Sequence, residues 1–344
     1  VTLPVNPPIK PMLARVGQRI PENQHYEPKW DGFRGIIFRD GNDVQITSRT
    51  TKPLERYFPE LVAAATASLP QRCVIDGEIV VQDEGGALDF SALQQRIHPA
   101  SSRIEKLARE TPATFVAFDC LAVGKNSLMD ARFSQRRETL ADLLGSHREV
   151  HSPIVLTPAT QDLDVAQEWF DEFEVLGIEG VVAKRLDLGY RPGERVMTKV
   201  KHIRTADCVV AGYRTYKNDD QAIGSLLLGL YTDDGELASV GITGSFSQQQ
   251  RRDLFTELQP LVTDLDNHPW APSTSNDTDA RKPQDAAVSR WNSGKSLQFV
   301  PLRPEQVVEV KYDRIEDQRF RHTTQFLRWR HDRDPRSCTF DQLT

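Results

Sequence analysis

The pattern of apolar residues changes once along this chain, just after Lys201. Before that point apolar strands alternate with helical stretches. After it come short alternating strands, DCVVAGYRT, SLLLGLYT and ELASVGIT, with turns such as Asp234-Gly235 between them. Regular short strands of this kind predict a small β-barrel. A chain of 344 residues is long enough for two domains with sizeable cores. The sequence therefore predicts an α+β protein cut near 203–206, with one domain over 1–203 and a barrel domain over 204–344. Residues 264–290, rich in Asp, Pro, Ser, Thr and Asn, predict a long mobile loop inside the barrel domain.

Within the first domain, GIIFRDGNDVQITSR (35–49) alternates around Asp40-Gly41 and predicts a hairpin just after Lys29. Residues 53–69, 130–144 and 162–176 read as helices. Residues 73–82, 113–123 and 179–185 read as strands, and each carries acids within an apolar run.

No run of eighteen apolar residues occurs, so no transmembrane helix is expected. The first thirteen residues hold four prolines and no apolar core of signal-peptide length. A cytoplasmic protein is expected. Cys73, Cys120, Cys208 and Cys338 lie far apart without a CxxC pair, which argues against a zinc ribbon and against a disulfide framework. The net charge of −6 does not mark a nucleic-acid binder, yet residues 318–336 hold six arginines against two aspartates.

Five stretches carry candidate chemistry, and each has an ordinary structural reading beside it. In YEPKWDGFRG (26–35), Lys29 stands between Glu27 and Asp31, with Arg34 further on. An amine attacks an electrophile only when neutral, a form favoured by desolvation or nearby cations. The same lysine also fits a paired charge at a strand edge. Asp76 and Glu78 either pair with cations or join Glu179 in holding a divalent metal through oxygen ligands. Phe118, in FVAFD, is either core or a platform for a base. Lys199 and Lys201 share a strand face, so both can meet one phosphate or both can face water. Arg328 and Arg330, followed by Asp332 and Arg333, suit a polyphosphate or nucleic-acid backbone, or a plain basic arm.

The order of these stretches is more specific than any one of them. KxDGxR, DGE, FxxFD, EGxxxK, KxK and RxRxD, spread over residues 27–333, resemble the motif series of the covalent nucleotidyltransferases. Those are the ATP-dependent DNA ligases, RNA ligases and mRNA capping enzymes. The C-terminal wording FRHTTQFLRWRHDRDP is similar to the small actinobacterial ligases of the ligase C type and to the ligase domain of ligase D enzymes. The resemblance implies a nucleotidyltransferase (adenylation) domain of antiparallel sheets flanked by helices, then an OB-fold barrel. With 28 residues before Lys29, no N-terminal DNA-binding domain is expected, nor the polymerase and phosphoesterase domains of ligase D.

By the same resemblance, Lys29 bears AMP as a lysyl phosphoramidate. Glu27 places the adenine amino group, and Phe118 and Val182 sandwich the ring. Arg34 and Glu78 meet the ribose, with Glu78 also open to a metal. Glu179 is the main carboxylate for Mg2+ or Mn2+, Lys184 a phosphate-side cation, and Lys199 and Lys201 the holders of the α-phosphate. Arg49 touches AMP or the 5′-phosphate of a nick. Arg328 and Arg330, with Asp332, orient pyrophosphate. Asp31 is assigned to the lysine's proton or a metal-bound water. The Ser48-Arg49 pair is followed by Thr50-Thr51 where many relatives soon carry glycine, and the last motif ends in Arg333 where many have lysine.

The implied activity is ATP-dependent sealing of 5′-phosphate/3′-hydroxyl breaks in DNA through an adenylated end, in repair. The expected setting is a cytoplasmic monomer, nucleoid-associated when on nicked or broken duplex, with bacterial Ku as a helper and a hinge near 202–206. Competing readings are an mRNA-capping guanylyltransferase, an RNA-end ligase and a catalytically silent DNA-end-binding module. The absent CxxC pairs and the short N-terminus argue against an NAD-dependent ligase.

Overall fold

The computed structural model describes residues 3–97, 100–145, 152–217, 219–271, 299–316 and 318–343. The chain divides into two compact units, Val1–His202 and Ile203–Thr344. Among the described residues no helix is long and apolar enough to cross a membrane.

In the first unit the strands are β1 (Leu13–Val16), β2 (His25–Pro28), β3 (Phe33–Asp40), β4 (Asp43–Ser48), β5 (Arg72–Val80), β6 (Thr114–Val123), β7 (Asn126–Ser127), β8 (Ile154–Leu156), β9 (Gly180–Lys184) and β10 (Arg195–Lys201). The helices are α1 (Pro59–Ser68), α2 (Phe90–Gln95), α3 (Ser101–Glu110), α4 (Phe133–Gly145) and α5 (Leu163–Glu172). One sheet runs β1-β10-β9-β2; the other runs β4-β3-β5-β6-β7, with β8 joined to β6. Pairing is antiparallel except in β1–β10 and β6–β8, two parallel contacts within sheets the sequence predicts as antiparallel. Both join strands separated by long crossovers, which parallel pairing requires.

Local sequence explains several boundaries. The 35–49 hairpin turns at Gly41, whose φ is 65°. The helix read over 53–69 is split into a single 3-10 turn at Glu55–Tyr57 and α1, because Pro59 serves best at a helix start, where no N–H is needed. The helix read over 162–176 leaves α-geometry at Phe173 and ends at Gly177 in the left-handed region, φ 79°.

The larger sheet is buried on both faces. Ile37, Ile75, Ile79, Phe115 and Ala117 share one core with Leu61 and Ala65 of α1 and Leu140 of α4. On the other face Ile36, Phe38, Val74 and Leu121 join Met197 of β10 and Tyr190, with Ala14 of β1 packed against them. The two sheets therefore meet through apolar side chains at one end, while facing positions at the other end are polar. Gly77 of the DGE stretch is fixed by packing: a Cβ there would lie 2.5 Å from a ring atom of Phe115.

The second unit contains β11 (Arg204–Tyr216), β12 (Asp219–Tyr231), β13 (Leu237–Thr243), α6 (Gln248–Leu258), β14 (Val300–Tyr312), β15 (Ile315–Glu316), β16 (Arg319–Phe320) and β17 (Gln325–Trp329). Its main sheet runs β13-β12-β11-β14-β17. Thr324, just before β17, bridges to Thr243 at the end of β13, so the two edges meet and the sheet closes on itself. The interior holds Val209, Leu228, Val240, Leu254, Val308 and Trp270 among others.

Trp270 revises the predicted loop. Residues 264–271 are built into the unit: a 3-10 turn at Leu265–Asn267 leads to Trp270, which is fully buried and donates through Nε1 to Leu237 O at 2.7 Å. The polar composition around one tryptophan hid that anchor. The remainder of the predicted loop lies outside the described residues.

Candidate active site

Three strands of the smaller sheet set out the site in rungs. His25 faces Lys184 and Glu27 faces Val182, across β2 and β9. Val182 in turn faces Lys199, and Gly180 faces Lys201, across β9 and β10. With side chains alternating along each strand, Glu27, Val182, Lys184, Lys199 and Lys201 share one face. Lys29 follows the end of β2 and is clamped to β9 by its backbone: its N–H donates to Gly180 O at 2.8 Å, and Glu179 N–H donates to Lys29 O at 2.9 Å. Gly180 is also required where β10 passes, since its φ is 141° and a Cβ would lie 2.0 Å from Val200 O.

Lys29 Nζ donates to Glu179 Oε2 at 2.5 Å and to Trp30 O at 3.4 Å. Lys201 Nζ reaches the same Glu179 oxygen at 2.8 Å. Burial alone would raise the Glu179 carboxyl, but Lys29 and Lys201 pull it down to about 2. Lys199 is lowered from the usual lysine range by burial and by the charges of Lys29 and Lys201. Arg49, exposed on the turn after β4, adds to the same field.

The facing wall comes from the larger sheet. Arg34, Glu78 and Val116 are aligned across β3, β5 and β6. The β5–β6 register slips between Asp76 and Gly77, which leaves Phe118 as the extra residue of a bulge. Phe118 is nearly buried, with Arg34 4.4 Å and Lys184 4.5 Å from its ring centre. Glu78 is half-buried and has no ion pair among the described residues. Its burial pushes the carboxyl up to about 7, although Arg34 and Lys29 oppose that.

Three residues have partners that the resemblance does not name. Lys184, which the family resemblance sets on the phosphate side, pairs with Glu27, with Nζ–Oε2 at 2.6 Å. It stands one rung beyond Val182, where buried Glu27 needs a counter-charge. Burial would raise the Glu27 carboxyl; Lys184 and His25, whose Nε2 is 3.2 Å from Oε1, hold it at about 2. Arg34 is largely spent on Asp76, donating through Nε and Nη2 at 2.6 Å each, so its ribose role rests on the donors that remain. Asp31 is buried and its charge is felt by Glu78, while the carboxylate hydrogen-bonded to the lysine amine is Glu179.

In the second unit Arg328 is exposed and pairs with Glu309 at 2.6 Å. Arg330 is held by Asp207 at 2.9 Å and by Asp332 at 2.9 Å, and Arg333 shares Asp207 at 3.0 Å.

Supporting residues escape the motif reading. Asp76 also accepts from Tyr190 Oη at 2.6 Å, and Asp119 is gripped by Arg136 at 2.7 and 2.9 Å. The available signal was an acid inside an apolar strand, which demands a partner. Nothing in the local sequence names that partner.

No three His, Cys, Asp or Glu side chains gather as a metal set among the described residues. Glu78 and Glu179 nevertheless fit an ion that keeps most of its ligands from water and phosphates. Glu78, half-buried and without an ion pair among the described residues, is the observation that favours a cation there.

A lysine hydrogen-bonded to a carboxylate, beside further lysines and opposite an aromatic ring, has the parts that covalent nucleotidyl transfer needs. Family models for the ATP dependent DNA ligase domain and the ATP dependent DNA ligase C terminal region match residues 11–201 and 219–333. The chain is 58% identical to the protein named DNA ligase C of Mycobacterium tuberculosis, covering 99% of this chain and 95% of that one. It is 32% identical to the multifunctional non-homologous end joining protein LigD of Mycolicibacterium smegmatis, over 90% of this chain and 37% of that one. A solved mycobacterial DNA ligase D complexed with ATP and MES superposes with a TM-score of 0.51 at 28% identity, covering 96% of this chain and 98% of that one. The chain belongs to the ATP-dependent DNA ligase family.

Proposed function

We propose that this ligase carries AMP on Lys29 and seals 5′-phosphate/3′-hydroxyl breaks in duplex DNA. The observation that carries the assignment is the Lys29–Glu179–Lys201 cluster, with Lys199 on the neighbouring rung. In the first step the neutral amine of Lys29 attacks the α-phosphorus of ATP. A P–N bond forms, the bond to pyrophosphate breaks and a proton leaves Nζ. Lys199 and Lys201 neutralise the phosphoryl oxygens as charge builds. Glu179 orients Nζ, and Asp31 lies close enough to influence the same acidic wall. When bound, Mg2+ or Mn2+ would be held by Glu78 and Glu179 and would offset phosphate charge.

Phe118 and Val182 take the two faces of adenine, with Glu27 and Lys184 at its polar edge. Arg34 and Glu78 lie toward the ribose. In the second step an oxygen of the 5′-phosphate at the break attacks the AMP phosphorus, with Arg49 placed to meet it, and Lys29 leaves as the amine. In the third the 3′-hydroxyl attacks the 5′-phosphate and AMP departs. Arg328 and Arg330, with Asp332, serve pyrophosphate in the first step only, which requires movement at the junction of residues 202–206. The proposal includes a monomer in the cytoplasm and at the nucleoid, aided by an end-binding factor such as bacterial Ku.

The test uses α-labelled ATP and α-labelled GTP with Mg2+ or Mn2+, followed by a chase with nicked DNA or nicked RNA. An adduct from ATP that discharges onto nicked DNA and vanishes in Lys29→Ala is expected. An adduct that persists in Lys29→Ala, or one formed only from GTP, overturns the proposal.

A further inference from the structure

Thr157 follows β8 and is almost fully buried, yet it carries a hydroxyl. A buried hydroxyl is unfavourable unless it is hydrogen-bonded. Here Oγ1 accepts from Trp30 Nε1 at 2.8 Å. The backbone of the same residue makes two more attachments. Its N–H donates to Ala117 O at 2.9 Å, beside Phe118, and its carbonyl accepts from Arg137 Nη2 at 2.6 Å. Arg137 is one of the cations that keep Glu27 ionised. Thr157 therefore touches the strand of the base platform, the helix flanking Glu27 and, through its hydroxyl alone, the loop of the nucleophile.

Trp30 is the residue after Lys29, and its carbonyl accepts from Lys29 Nζ at 3.4 Å. Its ring packs against Val80, Leu88, Val116 and Ile178, and Ile178 immediately precedes Glu179. Apolar packing of this kind is non-directional. The hydrogen bond from Nε1 to Thr157 gives the indole a defined direction.

We infer that Thr157 is a positioning residue for adenylation: through Trp30 it sets the Lys29 amine at a defined distance from the wall on which the base rests. The inference rests on the proposed role of Lys29. It concerns the alignment of the amine with the α-phosphorus, and so the rate of the first step, while ATP affinity is set by groups the hydroxyl does not touch. Misplacement of a reacting group by even an ångström slows a reaction markedly.

The experiment compares Thr157→Val, which keeps the shape and removes the acceptor, with Thr157→Ser, which keeps it. Single-turnover adenylation, ATP dissociation constant and sealing of a pre-adenylated nick are measured for each. Thr157→Val is expected to slow adenylation about tenfold, to leave ATP affinity within about twofold, and to seal pre-adenylated nicks at the wild-type rate. Thr157→Ser restores adenylation. Trp30→Phe gives the same loss, and the double variant Trp30→Phe/Thr157→Val loses no more than either alone. Wild-type adenylation in Thr157→Val overturns the inference, as does a loss that falls on ATP affinity, one that affects sealing equally, or multiplying losses in the double variant. None of those results touches the assignment of Lys29, which fails only if Lys29→Ala still forms the adduct.

Discussion

Lys29 and Glu179, 150 residues apart in the chain, are joined twice: by side chains at 2.5 Å and by a backbone hydrogen bond from Glu179 N to Lys29 O at 2.9 Å. The backbone bond sets where the lysine begins and the carboxylate sets where its amine ends. Glu179→Gln keeps the size and the backbone contact but removes the charge that two ammonium groups share. Adenylation should fall by about a hundredfold, the scale of losing one preorganised electrostatic contact. The rate of labelled adduct formation at saturating ATP measures it.

Glu27 and Lys184 form a buried ion pair, so removing one partner strands the other. Glu27→Gln should cost about 3–5 kcal/mol in urea unfolding, and Glu27→Gln/Lys184→Met should recover most of it. Full loss in the double variant would show that the carboxylate stabilises the fold through other groups.

The same carboxylate predicts an acid response. Its folded value of about 2 lies below the ordinary 4.5. A depressed acid contributes stability fully above the unfolded value, and the contribution disappears as pH falls through the folded one. Thermal unfolding of the wild type should therefore weaken between about pH 4.5 and pH 2 more steeply than that of Glu27→Gln.

Arg328 and Arg330 should separate in their effects. Arg328 is exposed, with a pairing to Glu309, whereas Arg330, just after β17, is tied to buried Asp207. Arg328→Ala should slow adenylation while sparing both thermal stability and sealing of pre-adenylated nicks. Arg330→Ala should also lower the melting temperature, because it leaves Asp207 with Arg333 alone among the pairings seen. Equal loss of adenylation and sealing in Arg328→Ala would remove it from the first step.

Gly77→Ala should destabilise the first unit by about 1–3 kcal/mol, the usual cost of overpacking, because the added methyl meets the Phe115 ring at 2.5 Å. Combining it with Phe115→Val should recover part of that loss in the same urea unfolding measurement.

The candidate site was legible as a set of residues because they sit in short strings with strong spacing. Asp76 with Glu78, and Lys199 with Lys201, each declare a strand face by their interval, and Lys29 is marked by the KxDGxR string. What those strings could not declare was the partner across the sheet. Asp76 is satisfied by Arg34 and Tyr190, and Asp119 by Arg136; these pairings depend on a register and a bulge that only the assembled sheets supply. The pairing of Lys184 was hidden for the same reason, since its motif gives an order along β9 and says nothing of Glu27 on β2. Trp270 shows the converse: one large apolar side chain anchored a segment whose average composition read as loop.

The parallel pairing of β1 with β10 sets when the cleft can exist. Val16 sits opposite Lys199, and Gly17 N donates to Lys199 O at 2.9 Å. During synthesis the hairpin of β3 and β4 can form early from neighbouring residues. The sheet that presents Lys29, Glu27 and the paired lysines must wait until β9 and β10 have left the ribosome. A chain on which β9 and β10 have yet to emerge therefore holds Lys29 without Glu179, Lys199 and Lys201 beside it, and that cluster assembles in a single late step.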